Sequence, residues 1–287
     1  MGYEHMADLV IVTDSTADLP PQVLHQYGIE VVPLKVMFGD EVYRDGVDIT
    51  FGEFIRKMES SGTVPTTSQP APGEFAAVYE RILQEQPDAH IISIHLSAQM
   101  SGTVHSARLA KSMVNEEKIE VIDSKMVSLA LGVIVLEAAK AARAGKDKEE
   151  VLKIIDHMIE KTRTYFLVDT LDYLQRGGRI GKAQSLLGTL LHIKPILTFN
   201  DGFISPYDKV RGLNKAIQVI TDSINEEFGK NPVSCAFVYG TDMELFNTFY
   251  NKIKSEVLFE ETVRAQLGCV VGAHGGPGIV GVICYSF

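Results

Sequence analysis

Two kinds of apolar pattern alternate along the first half of the chain. Short unbroken runs, Leu9-Val10-Ile11-Val12 and His90-Ile91-Ile92-Ser93-Ile94, read as strands buried on both faces. Residues 30–36 and 119–122 read the same way, and 38–49 reads as a small hairpin excursion. Between these runs, helical spacing predicts helices from about Pro20 and over 51–61, 72–85, 102–115 and the strongly apolar 127–143. Strand and helix in alternation predict a mainly parallel sheet covered by helices.

The second half has a different rhythm. A helix over 147–162 leads into a strand at 165–168, and helical segments follow to about 191. Strands at 193–199 and 203–206 flank Asn200-Asp201-Gly202, where Asp-Gly suits a tight reversal. A helix over 211–228, a strand over 234–239 and a helix over 242–256 come next. The chain is expected to end in two strands around a glycine cluster. The expected fold class is therefore α/β with two domains: residues 1–163 with a mainly parallel sheet and flanking helices, and 164–287 as a mixed α+β unit.

Composition narrows the function. The 287 residues carry a formal net charge of −10, which argues against a general nucleic-acid binder and against attraction to an anionic membrane. The chain has no Trp, so its core rests on aliphatic residues, Phe and Tyr. Cys235, Cys269 and Cys284 each sit in an apolar, strand-like run, with no Cys-x-x-Cys pair and no zinc-ligand spacing. Buried free thiols in a reducing cytoplasm are the expectation. Residues 265–287 contain no Asp, Glu, Lys or Arg, but Gly275-Gly276-Pro277-Gly278 cuts them into pieces shorter than the ~20 residues a spanning helix needs. No signal peptide is evident, and residues 1–5 read as an added leader ahead of a natural start at Met6.

Five segments carry candidate chemistry. Asp14-Ser15-Thr16-Ala17-Asp18 follows the first strand, at the carboxyl edge of the expected sheet, where ligand sites collect. Its acids suit metal or phosphate handling, or equally the capping of the next helix. Thr66-Thr67-Ser68-Gln69-Pro70-Ala71-Pro72 is a stiff, hydroxyl-rich loop, either an anion site or a capped turn. Ser101 precedes a helix and can cap it or donate to a bound carboxylate. Gly276 to Gly281 fits G-x-G-x-x-G, but no helix follows it. The cluster is better read as a close approach of backbone to something bound, with His274 as a structural residue or a ligand contact. Gln175-Arg176-Gly177-Gly178-Arg179-Ile180-Gly181-Lys182 fails the phosphate-loop pattern, with Arg at 176 and Ala at 183. Residues 176–215 hold seven Lys or Arg against Asp201 and Asp208, a local charge of +5. That is either a solvated face or a docking surface for an acidic partner or a phosphate.

Taken together and in order, these pieces resemble the DegV family. The matching residues are Thr13-Asp14-Ser15-Thr16-Ala17-Asp18-Leu19, Thr67-Ser68-Gln69-Pro70, Ser101-Gly102-Thr103, Val121-Ile122-Asp123-Ser124, Leu174-Gln175-Arg176-Gly177-Gly178-Arg179-Ile180 and His274-Gly275-Gly276-Pro277-Gly278. The resemblance implies a two-domain DegV-like fold, with one long-chain fatty acid (about C14–C18) held between or within the domains and its tunnel assigned to the C-terminal one. It implies a non-catalytic binding subunit of a bacterial fatty acid kinase, feeding phospholipid metabolism. There a separate ATP-dependent kinase subunit phosphorylates the bound carboxylate, and no metal or other cofactor is implied. Family positions for the carboxylate match Thr67, Ser101, Gly102, His274 and Gly275, and the partner or phosphate surface matches Arg176 and Arg211. Two positions depart from the family pattern: Ala71 where serine is common and Val104 where tyrosine is common. The uncharged stretches 127–136 and 185–191 are the expected tunnel walls. The competing class is a free-standing enzyme, a small-molecule kinase on a related fold or a Ser/His hydrolase. Against it, the chain lacks G-x-S-x-G, a Walker loop and a metal-ligand cluster.

Overall fold

The structure is a computed structural model, and it describes residues 9–188, 193–229 and 232–287. Its first half is organised on a four-stranded, all-parallel sheet of β1 (Leu9–Asp14), β2 (Glu30–Val32), β6 (His90–His95) and β7 (Ile119–Asp123), in the order β2-β1-β6-β7. Both faces are covered, as the unbroken apolar runs require. Helices α3 (Pro72–Glu85) and α4 (Thr103–Val114) bury Phe75, Tyr79 and Val104 against one face. Helix α5 (Leu129–Arg143) lies on the other, nearly all of it inside the core. It packs on α6 (Lys148–Lys161), while α1 (Pro21–Tyr27) runs between β1 and β2 and also touches α5.

The expected single strand over 30–36 is two strands. Pro33 and Leu34 break it, so that β2 joins the parallel sheet and β3 (Lys35–Phe38) leaves it. β3 pairs antiparallel with β4 (Glu41–Arg44), the expected hairpin, and on its other edge with β5 (Thr66–Ser68), which had read as loop. Helix α2 (Phe51–Ser61) starts in a capping box in which Thr50 and Glu53 bond each other's backbone amides.

The second half is a six-stranded mixed sheet, β10-β9-β8-β13-β11-β12. Its strands are β8 (Arg163–Leu167), β9 (Ile193–Asn200), β10 (Phe203–Arg211), β11 (Val233–Tyr239), β12 (Phe259–Gln266) and β13 (Val280–Tyr285). Asn200 pairs with Phe203 across the Asp201-Gly202 turn, both of whose residues have positive φ, as the sequence predicts. Helices α8 (Leu213–Phe228) and α9 (Met243–Glu256) cover one face around Phe237, Phe246 and Phe249. The other face turns toward the first half, and one apolar core runs continuously from Ile11 and Leu129 to Val238 and Ile283. The two strands expected at the chain end are separated by a short helix, α10 (Cys269–Gly275). Cys269 therefore lies on a helix, while Cys235 and Cys284 are cross-strand neighbours; all three are free, buried thiols. Among the described residues no helix is long and apolar enough to cross a membrane.

The parallel sheet opens at the carboxyl ends of β1 and β6, where the chain winds outward in opposite directions and a crevice forms. A buried polar chain fixes these ends. Asp14 accepts from the amides of Thr16 and Leu96 and meets His95 Nδ1 at 3.0 Å; His95 Nε2 meets Ser93 Oγ at 2.7 Å, and Tyr79 OH donates to Ser93 at 2.7 Å. Asp14, His95 and Ser93 are all fully buried, so this Asp-His-Ser series ties strands together rather than meeting a substrate. Replacing Tyr79 by Phe removes one buried donor and should cost ~1–2 kcal/mol, or ~2–6 °C in melting temperature for a chain of this size. An unchanged thermal melt would show that the chain adds nothing to stability.

Candidate functional site

Between the two halves lies a partly open cavity of about 340 Å³ with mostly apolar walls, within the ~300–1,000 Å³ of small-ligand sites. The mixed sheet supplies one wall through Phe166, Phe199, Val238 and Ile283. The opposite wall comes from the first half, through Leu34, Leu96 and the Val127–Ala130 entry to α5, so the tunnel does not belong to the C-terminal domain alone. Of the two expected walls, 127–136 contributes its first turn, and the rest of it is core. In the other, Gly181–Leu186 form a 3₁₀ turn outside the cavity lining, and 189–191 lie outside the described residues.

One end of the cavity is polar, and four segments of the chain build it. β5 presents Thr67, the segment after β6 presents Ser101, α10 presents His274 and Gly275, and the turn after α7 (Asp172–Arg176) presents Arg179. Thr67 Oγ1 and His274 Nε2 are 2.7 Å apart. His274 Nδ1 is buried with no partner among the described residues, and the Cα of Gly177 packs against it so closely that a Cβ there would lie 2.2 Å away. Burial pushes the His274 imidazole down to about 4, and the Arg179 guanidinium adds to the shift. The ring is therefore neutral at physiological pH. Arg179 is held by bonds to the carbonyls of Met100 (3.1 Å) and Gly177 (2.7 Å), which spans the gap between the two halves. The result is a pocket end with hydroxyl donors, a neutral imidazole and one fixed cation, suited to a carboxylate.

The position of His274 depends on how α10 is anchored. At its amino end the amides of Gly268 and Cys269 donate to Asp18 (3.0 Å) and Asp45 (2.9 Å), both from the first half. Asp18 also accepts from Ser128 Oγ at 2.5 Å, while Asp45 Oδ2 has no partner among the described residues. Burial pushes both carboxyls upward, and the charge of Asp45 pushes Asp18 further. Asp18 thus anchors the distant α10 rather than capping the next helix, α1, whose N-cap is Pro20. Among the described residues no cluster of His, Cys, Asp or Glu could hold a metal ion.

The remaining candidates fall in several places. Gly102 does not line the cavity; its amide donates to Gln69 Oε1 at 3.1 Å. The Ser101 hydroxyl accepts from the Thr103 amide at 3.3 Å and lies 2.9 Å from Thr103 Oγ1, so it caps α4 while facing the cavity. Val104 is buried between α4 and the parallel sheet and Ala71 is exposed before α3, so neither family departure reaches the cavity. Arg176 stacks on Tyr173 at 5.0 Å and has no carboxylate partner among the described residues. It lines a second cleft, open to the surface, that shares Thr67, Arg179 and His274 with the cavity. Arg211 lies in a different groove with Lys194 and Asp169. Arg179 and Gly177 are marked in the sequence only as part of the Arg-Gly-Gly-Arg segment, and Gln69 only as part of Thr-Ser-Gln-Pro.

The fold and cavity define a two-domain α/β protein with an apolar cavity, polar at one end, between its two halves. The sequence model for the family described as "Uncharacterised protein, DegV family" matches residues 8–286. The chain belongs to the DegV family. It is 40% identical over 280 residues to a DegV domain-containing protein of Caldanaerobacter subterraneus, covering 96% of this chain and 98% of that one. A DegV family protein from Thermus thermophilus, solved for its fatty acid binding, superposes with a TM-score of 0.91 at 37% identity, covering 97% and 99% of the two chains. A stearic acid-binding protein from Eubacterium ventriosum gives 0.87 at 29% identity, covering 96% and 97%.

The carboxyl pair gives a pH prediction. A carboxyl whose folded pKa is raised adds stability that is fully present below its unfolded value, ~4, and lost as pH rises through the folded value. The melting temperature should therefore fall as pH is raised above the ordinary carboxylate range. Asp45→Asn keeps the acceptor for Cys269 and removes one charge, so it should flatten that fall and melt ~2 °C or more above the wild type at alkaline pH. Melting curves that stay parallel across pH would show that the pair does not titrate in this way.

Proposed function

We propose that this chain binds one long-chain fatty acid per molecule, with the acyl chain in the interdomain cavity and the carboxylate at Thr67, Ser101, His274 and Gly275. The observation that carries this is the apolar cavity closed at one end by donors and a fixed cation. Each buried methylene contributes ~0.8 kcal/mol before the costs of association, and a carboxylate buried without donors would cancel that gain. The positive Arg179 beside the ring disfavours a second proton, and an unpaired lone pair at the enclosed Nδ1 is tolerated better than an unpaired N–H. His274 then donates from Nε2 to Thr67 Oγ1, which leaves the Thr67 hydroxyl free to donate to the ligand. The relatives solved with fatty acids support the same ligand class.

In the fuller reading the protein acts in the cytoplasm and is not an enzyme by itself. It presents the carboxylate to a separate ATP-dependent kinase subunit, which forms the acyl phosphate. The support is the second cleft: it opens outward over the carboxylate end, and Arg176 and Arg179 line it without an acidic residue among its described walls. Arginine suits bidentate contact with a phosphate or an acidic partner. Arg211 lies in a separate groove beside Lys194 and Asp169, and its part in docking the partner rests on the family resemblance alone.

Organic extraction of the purified protein should release a C14–C18 acid, close to one per chain, as measured by mass spectrometry against the ~0.8 kcal/mol per methylene that favours long chains. Thr67→Val should weaken binding of palmitate about tenfold or more, the loss of one donor to a charged acceptor; unchanged affinity would move the carboxylate elsewhere. With a bacterial fatty acid kinase supplying the ATP-using subunit, Arg176→Ala should lower acyl-phosphate formation about tenfold, as loss of one bidentate arginine contact does, and leave palmitate affinity and the thermal melt intact. Joint loss of all three would make Arg176 a structural residue instead.

A further inference from the structure

Two buried, unpartnered polar atoms of the described residues belong to side chains that line the cavity, and they lie at opposite ends. One is His274 Nδ1, at the carboxylate end. The other is Thr164 Oγ1, on a residue only 6% exposed. Strand register fixes where Thr164 lies. The carboxylate end sits where β8 finishes and β13 begins, because Gly278 packs directly on Asp169 and Gly276 on Tyr173. Thr164 pairs with Ile283, three residues further along the strand pair than the Leu167–Val280 pairing. That places it ~10 Å along the sheet from the carboxylate end.

Thr164 shares a sheet face with Phe166, and its partner Ile283 shares one with Tyr285, whose hydroxyl is already given to Glu137 at 2.9 Å. Two further hydroxyls on the first-half walls are likewise engaged: Thr16 bonds Asp14 and Ser128 bonds Asp18. Valine would fill the same volume in a strand without leaving a hydroxyl unpaired, and an unpaired buried hydroxyl is costly. We propose that Thr164 hydrogen-bonds a neutral oxygen on the distal part of the ligand, so that the cavity is built for an oxygenated fatty acid bearing a hydroxyl or keto group far from its carboxylate. A second carboxylate does not fit, since no cationic side chain lines that part of the cavity among the described residues.

This inference rests on the fatty-acid reading above, and palmitate serves as the control that separates the two. Delipidated wild type and Thr164→Val would be titrated with palmitate, ω-hydroxypalmitate and a mid-chain hydroxystearate. Wild type should bind at least one hydroxy acid as tightly as palmitate or more so. Thr164→Val should bind that acid about tenfold more weakly and palmitate equally well or better. Hydroxy acids that bind wild type and variant alike, or wild type more weakly than palmitate in both cases, would overturn the role of Thr164 while leaving the fatty-acid reading intact. Failure of palmitate and both hydroxy acids to bind would overturn both. Thr164→Ser keeps the hydroxyl and should restore the preference, whereas a preference lost equally in Ser and Val variants would point to packing and sink the proposal.

Discussion

Everything at the polar end of the cavity depends on how a seven-residue helix is held. Left to itself, α10 is too short to be stable, because helix nucleation is unfavourable and so few residues return little. Asp18 and Asp45 reach across from the parallel-sheet domain and take its first amides, groups that no helix can satisfy internally. Its far end delivers His274 to Thr67, which belongs to the first half again. Both ends of α10 are therefore fixed by a domain to which it does not belong in sequence. The ligand geometry is as precise as the docking of the two halves.

The charge of the whole chain and the charge of the site have opposite signs for a physical reason. An excess of acid spread over the surface is screened within ~8–10 Å at physiological salt. The exposed guanidinium of Arg179, anchored on two carbonyls at the cavity wall, acts at contact range, well inside that screening length. On the proposed function, Arg179 is the local field that an anionic head group would meet, whatever the formal total. Burial, with the same cation adding to it, keeps His274 neutral, so the imidazole contributes directional bonding rather than charge.

Much of this was legible in the chain. Unbroken runs at 9–12 and 90–94 gave buried parallel strands because a strand covered on both faces needs no polar side. Asp201-Gly202 gave its turn because positive φ at both positions leaves few other conformations. What escaped was set by distant partners. Residues 269–275 carry no helical polar face, since they are wrapped by both halves, and so they read as a strand-like run at Cys269 passing into a glycine cluster. Thr66–Ser68 is polar yet forms a strand, because β3 offers it a free edge. Thr67, Ser101 and His274 were recognisable from their motifs. Arg179 and Gln69 were not, because each acts through backbone carbonyls or amides whose proximity is a property of the fold. Thr164 had no signal at all: a threonine in a strand is unremarkable until its hydroxyl is found to face nothing.

The cavity between the two halves also says something about how the molecule stores its stability. It is a partly open gap walled largely by residues of a single continuous core. Close-packed interiors do not tolerate such gaps freely, because lining atoms lose their contacts across the void. On the proposed function, the acyl chain is the missing part of the core, so the protein should be folded most firmly when loaded. Occupancy and folding are then linked by mass action. An unloaded chain would be the more exposed one to proteases, and the cell's supply of fatty acid would set how much of this protein persists.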